Sequence, residues 1–154
     1  MESSILLINC LLVGLASGIF LAFSLAVSPG LAQLKDDSYV RAMQYINRVI
    51  LNPAFYLLFI GPVLLLPVSC FLLYGGPAFW LTIAATVLYL GGMFILTIAG
   101  NVPLNDKLDK VEGDAKAYKA GRLAFEKPWD RLHAIRTVAG ILSSVLLLKA
   151  LSLL

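Results

Sequence analysis

Apolar positions gather into four long runs, separated by two polar connections and one tight turn. The runs are Ser4 to Ser28, Pro53 to Tyr74, Pro77 to Gly100 and Leu132 to Leu154. Each reaches the ~20 residues that cross roughly 30 Å of hydrocarbon. Only helices and closed barrels satisfy the backbone in lipid, and these runs are continuous rather than alternating, so they predict helices. Pro29-Gly30 is expected to close the first span. Asn52-Pro53 is expected to open the second, as an N-cap with proline at the first helical position. Gly75-Gly76-Pro77 reads as a turn, and Pro62 and Pro67 predict a kink in span two. Gly14, Gly18 and Ala22 form a small-residue stripe that admits a close helix, with packing inside the chain as its expected use.

The connections carry helical patterns of their own. Val40, Met43, Ile46 and Ile50 predict an amphipathic helix over 38–51. Leu104, Leu108, Val111, Ala115 and Tyr118 share one face of a second predicted helix over 104–120, with charged residues around the rest. Both are expected to lie on the membrane surface. The predicted fold is all-α: one domain over 1–154, an integral membrane four-helix bundle with amphipathic interfacial helices in its two long connections.

Composition agrees. Hydrophobic residues make up 60% and charged residues 14%, against about 45–50% and about 25% in soluble domains. A net charge of +3 with no basic cluster interleaved with aromatics excludes nucleic acid as a partner. Eleven of the twelve lysines and arginines lie in the two connections and the adjoining start of span four. The positive-inside rule then puts the long connections in the cytoplasm and both termini outside. The N-terminus lacks a positive region before its apolar run and reads as a retained first span. Cys10 and Cys70 both sit in apolar runs, either as small core residues or as a disulfide between spans. With one histidine they complete no familiar zinc set, so no metal site is expected.

The polar residues that need explaining collect at one membrane face. Gln44, Asn47 and Arg48 lead into span two, Asn101 and Asn105 leave span three, and Trp129, Arg131, His133 and Arg136 open span four. Residues 129, 133, 136 and 140 share one helical face. A charge at the middle of a span costs about 2.5–3.5 kcal/mol on insertion scales, most of which a residue one turn inside escapes by snorkelling. Snorkelling does not explain why amides and the lone histidine gather at the same depth. Each residue also has a plain structural reading: an aromatic belt for Trp129, a surface anchor for Arg131, a helix C-cap and a turn around Pro103 for Asn101 and Asn105. Together they predict a polar pocket capping an apolar bundle.

The runs Ser24 to Leu31, Met43 to Phe55 (MQYINRVILNPAF), Ala99 to Asp106 (AGNVPLND) and Trp129 to Thr137 (WDRLHAIRT) carry a resemblance. In that order they resemble the anthrone oxygenase-like family of small four-span membrane proteins, many catalogued only as a domain of unknown function. The resemblance covers essentially the whole chain. It implies the four-span fold and an oxidoreductase that oxidises a lipophilic aromatic, anthrone- or phenol-like substrate with O2, without a cofactor. On that reading His133 would be a base at the acidic methylene. Arg136 would act beside it in catalysis, with Arg48, Asn47, Asn101 and Asn105 holding the developing oxyanion and Trp129 the rings. The competing reading is a non-catalytic lipid- or quinone-binding membrane module or partner subunit, with a homo-oligomer open to either. A third reading makes His133 a haem ligand, with Met43 or a second chain opposite.

Overall fold

The computed structural model describes residues 2–154 and is all-helical. Five helices follow one another: α1 (Glu2–Ala32), α2 (Asp36–Val49), α3 (Pro53–Leu72), α4 (Phe79–Asp109) and α5 (Ala115–Leu151). α1, α3, α4 and α5 are each long and apolar enough to span a membrane, which makes the chain a multi-pass membrane protein. Their outward faces are oily: Leu11, Leu15, Leu57, Leu64, Phe71, Val87 and Val145 are all exposed. Such a surface suits a lipid environment.

Local chemistry sets the helix starts. The Asn52 side chain accepts from Phe55 N–H at 3.0 Å, with Pro53 at the first helical position, as the sequence predicts. Asp114 caps α5 by accepting from Ala117 N–H at 2.9 Å. Between α4 and α5 the chain turns at Gly113, whose φ of 122° suits glycine. The expected surface helix over 104–120 is therefore absent as a unit. Its first half continues α4 to Asp109, and its second half begins α5. At 37 residues α5 is about 55 Å long, nearly twice the hydrocarbon thickness, so its first turns stand outside the bilayer.

Two prolines expected to end helices do not. α1 runs through Pro29 and α4 runs through Pro103. In both, the turn just before the proline widens to π geometry, over Phe23–Val27 and over Thr97–Asn101. Ser28 N–H reaches Phe23 O and Val102 N–H reaches Thr97 O, five residues back in each case. Proline has no N–H and its ring crowds the carbonyl four residues earlier. A widened turn accommodates the ring without ending the helix. α4 carries a second π stretch over Leu88–Ile95.

Two hydrophobic cores result. The larger fills the bundle, around Leu6, Val13, Ala16, Phe20, Phe59, Leu66, Tyr89, Met93 and Leu147. The smaller lies at one end, where α2 covers the extensions of α4 and α5 with Tyr39, Val40, Met43, Leu108, Tyr118, Phe125 and Trp129. α2 is tied down by polar contacts. Gln44 Nε2 donates to Leu108 O in the last turn of α4 and to Val111 O just beyond it, both at 2.9 Å. Arg122 of α5 donates to Ala32 O, Leu34 O, Asp36 and Glu126, and lies over the Tyr39 ring at 4.4 Å.

Small residues set how closely the spans approach. A Cβ on Gly92 would sit 2.6 Å from Ala139 Cβ, and one on Gly140 would meet Ser17 Oγ at 2.6 Å and Met93 Sδ at 2.9 Å. Gly14 and Gly18, expected to serve packing inside the chain, have no such neighbour within 4 Å. Cys10 and Cys70 are free and buried, and Cys70 Sγ lies 3.3 Å from Thr86 Oγ1.

Candidate functional site

At the seam between the two cores lies a cavity of about 230 Å³, walled by α1, α2, α4, α5 and the start of α3. An apolar cavity of about 150 Å³ admits benzene, so this one has room for a fused aromatic system. Its walls are mainly Ile19, Phe20, Phe23, Ile46, Leu51, Phe55 and Trp129. Asn47, Arg48, Asn105, Asp106 and Asp109 border it, and Thr97, His133 and Arg136 supply its inner polar groups.

One helical face of α5 delivers the centre of the site. Trp129, His133, Arg136 and Gly140 are all buried, the guanidinium-bearing residue at only 7% exposure. Trp129 therefore stacks inside the protein rather than in a lipid-facing belt. Its ring lies nearly parallel to His133, at 12° and 4.7 Å between centroids. Phe20 and Phe23 meet the imidazole edge-on at 5.6 and 5.3 Å. Arg131 is exposed, as a surface anchor would be.

The hydrogen bonds of His133 decide its tautomer. Arg136 donates to Nδ1 from Nε at 3.0 Å and from Nη2 at 2.8 Å. Arginine has no acceptor, so Nδ1 must carry a lone pair. Nε2 lies 3.0 Å from Phe20 O, a carbonyl that only accepts, so Nε2 carries the hydrogen. His133 is thus neutral, with both ring nitrogens engaged. This geometry differs from that expected of a free base, and it offers no open nitrogen to a haem iron. Met43, the formal partner for that iron, is buried in the smaller core.

Arg136 is held from three sides. Besides His133, its Nη1 donates to Thr97 Oγ1 at 3.1 Å, and its guanidinium lies over the Phe20 ring at 4.2 Å and the Trp129 ring at 5.2 Å. Thr97 in turn donates to Met93 O at 2.6 Å. Among the described residues, the ion pairs are Arg48–Asp109, Arg122–Asp36 and Arg122–Glu126, and none involves Arg136. The cavity therefore contains a buried cation supported by ring faces and neutral acceptors rather than by a carboxylate.

The other expected residues divide. Asn105 Oδ1 accepts from Trp129 Nε1 at 2.8 Å, and Asn101 Nδ2 donates to Trp129 O at 3.2 Å. Both amides hold the tryptophan, and neither acts as a terminal cap. Asn101 is buried outside the cavity wall, whereas Asn105 lines it. Arg48, expected at an oxyanion, instead pairs with Asp109 at 2.8 Å on the exposed rim. Asn47 lines the cavity, and its buried Nδ2 has no acceptor. Sequence reasoning missed Thr97, the Phe20 carbonyl and the aromatic walls Phe20, Phe23 and Phe55, because a threonine and phenylalanines in an apolar run carry no distinguishing signal.

The family model for anthrone oxygenase matches residues 55–146. That stretch runs from the aromatic wall of α3 through Thr97 and Trp129 to Arg136, and the chain belongs to this family. No curated protein and no solved structure matches it.

Proposed function

We propose, from this family membership, that the protein oxidises a flat, lipophilic phenol- or anthrone-type substrate with O2 and needs no bound cofactor. The observation that carries the reading is the buried guanidinium, without a carboxylate partner, inside an aromatic-walled cavity. A fused-ring ketone with an acidic methylene loses a proton to water and becomes an aromatic enolate. Its oxyanion rests on Arg136, whose donors are fixed before charge develops. The enolate carbon passes one electron to O2, and the resulting pair of radicals joins as a C–O bond. The peroxide takes up a proton. Loss of the remaining hydrogen on that carbon as a proton, with O–O cleavage, leaves a second ketone and one water. One oxygen atom of O2 enters the product and the other leaves as water, so atoms and electrons balance. We place the cavity and the long connections on the cytoplasmic side, on the strength of the lysine and arginine distribution.

The test is oxygen uptake by purified protein with an anthrone, measured against spontaneous oxidation. Arg136→Met should reduce the protein-dependent rate by roughly a hundredfold, the scale of losing an oxyanion donor. A wild-type rate no faster than the buffer blank would overturn the reading. A stoichiometrically bound quinone or lipid with no uptake would instead make the chain a binding module.

A further inference from the structure

In the proposed reaction the substrate's proton goes to water, and the site geometry bears on what makes the bound substrate acidic enough to lose it. A guanidinium has five N–H donors. Arg136 gives its Nε–H and one Nη2–H to His133 and one Nη1–H to Thr97. One N–H on each terminal nitrogen is left without a protein acceptor. The charge itself has no carboxylate partner among the described residues, and the cavity's two carboxylates, Asp106 and Asp109, lie on exposed α4 positions at its border. Arg48, the cavity's other cation, already pairs with Asp109 there. The inner end of the cavity thus offers a fixed positive charge and free donors to an occupant. His133, already accepting twice at Nδ1 and donating at Nε2, has no lone pair to offer it.

We propose that the site takes its ligand as a monoanion, an aromatic phenolate or enolate, on Arg136, and that His133 is a positioning residue rather than the base. This rests on the oxygenase reading for the ligand's ring system, but not for turnover. In water a phenolate is hydrated. In this cavity it exchanges that hydration for a cation whose own cost of burial has already been met by the fold. The bound acid is therefore stronger than the free one, and its proton leaves through the polar mouth without a dedicated base. His133 contributes by holding two of the guanidinium's N–H groups, which turns the remaining ones into the cavity.

The probe is 2-hydroxyanthraquinone, a fused-ring phenol with no methylene to oxidise, whose anion absorbs at longer wavelength than its neutral form. At a pH where the free dye is neutral, wild-type protein in detergent should bind it with the anion's spectrum. The 2-methoxy analogue, which cannot ionise, should bind roughly tenfold to a hundredfold more weakly, the scale of one charge-assisted hydrogen bond. Arg136→Met should abolish the spectral shift. It exchanges a buried charge for a shorter, flexible apolar chain, so folding is expected to survive, and a thermal melt checks this. His133→Asn, whose Oδ1 can accept from Arg136, should keep the shift that His133→Ala loses. Loss in both His133 variants would overturn the positioning role. A neutral bound dye, equal binding of the two dyes, or no binding of either would overturn the anion site. An anionic bound dye together with no oxygen uptake from an anthrone would support this inference and remove the oxygenase reading.

Discussion

Thr97 shows how little of a site a single residue type discloses. It donates to Met93 O, as threonines in apolar helices commonly do, and its oxygen also accepts from Arg136. Thr97→Val keeps the volume and removes the acceptor. The expected outcome is an oxygen-uptake rate lower by about tenfold, the worth of one hydrogen bond to a charged group, with a melting curve close to wild type. Gly140→Ala should do the reverse. Its new Cβ would meet Ser17 and Met93, and overpacking of this kind costs about 1–3 kcal/mol, read as earlier unfolding in detergent. Trp129, His133 and Arg136 could be picked out from the sequence because a polar group in an apolar run must be explained. Thr97 and Phe20 could not, since nothing in their chemistry sets them apart from core residues. The tautomer of His133 was out of reach for another reason: it depends on a carbonyl 113 positions away in the chain.

Among the elements, existence was easier to read than extent. The four spans follow from length and hydropathy, and the start of α3 follows from Asn52-Pro53. Pro29 and Pro103 depart from proline's usual meaning as a stop. Whether proline ends a helix or widens it depends on whether neighbouring helices keep the freed carbonyls supplied, and that is a tertiary matter. A second polar clasp lies far from the site. Asn9 Nδ2 donates to Ser69 Oγ at 2.9 Å between α1 and α3, both residues buried, while Asn9 Oδ1 has no partner. Ser69→Ala leaves the whole amide unpaired and should cost on the order of 1–2 kcal/mol. Asn9→Leu combined with Ser69→Ala should recover most of that loss. A double-mutant cycle of unfolding in detergent measures the difference, and strict additivity of the two single effects would show that the clasp carries no coupling.

The whole molecule has a polar end and an apolar end, and its cavity lies at the polar one. Lys107, Lys110, Lys116, Lys119 and Lys127 all belong to this end, and Lys149 lies near the other. A single cysteine placed at Lys119 in a background lacking Cys10 and Cys70 should react with an impermeant maleimide only after cells are broken open. Reaction in intact cells would reverse the proposed orientation. A cavity lined by Ile19, Leu51 and Val102, each itself partly exposed on the spans or their ends, borders the acyl chains as well as the headgroups. That border gives the proposed lipophilic ligand a route in from the bilayer, with its anionic oxygen turned inward to Arg136.

The widened turns also act as phase shifters. An extra residue in one turn of a helix rotates everything after it by about 100° about the axis. Deleting one residue between Thr97 and Asn101 would leave α4 long enough to span. It would, however, swing Leu108 out of the smaller core and carry Asn105 away from Trp129. The chain therefore tolerates changes of length at its outer turns far better than at these two, where a single residue sets the angular register between the oily bundle and the smaller core at its end.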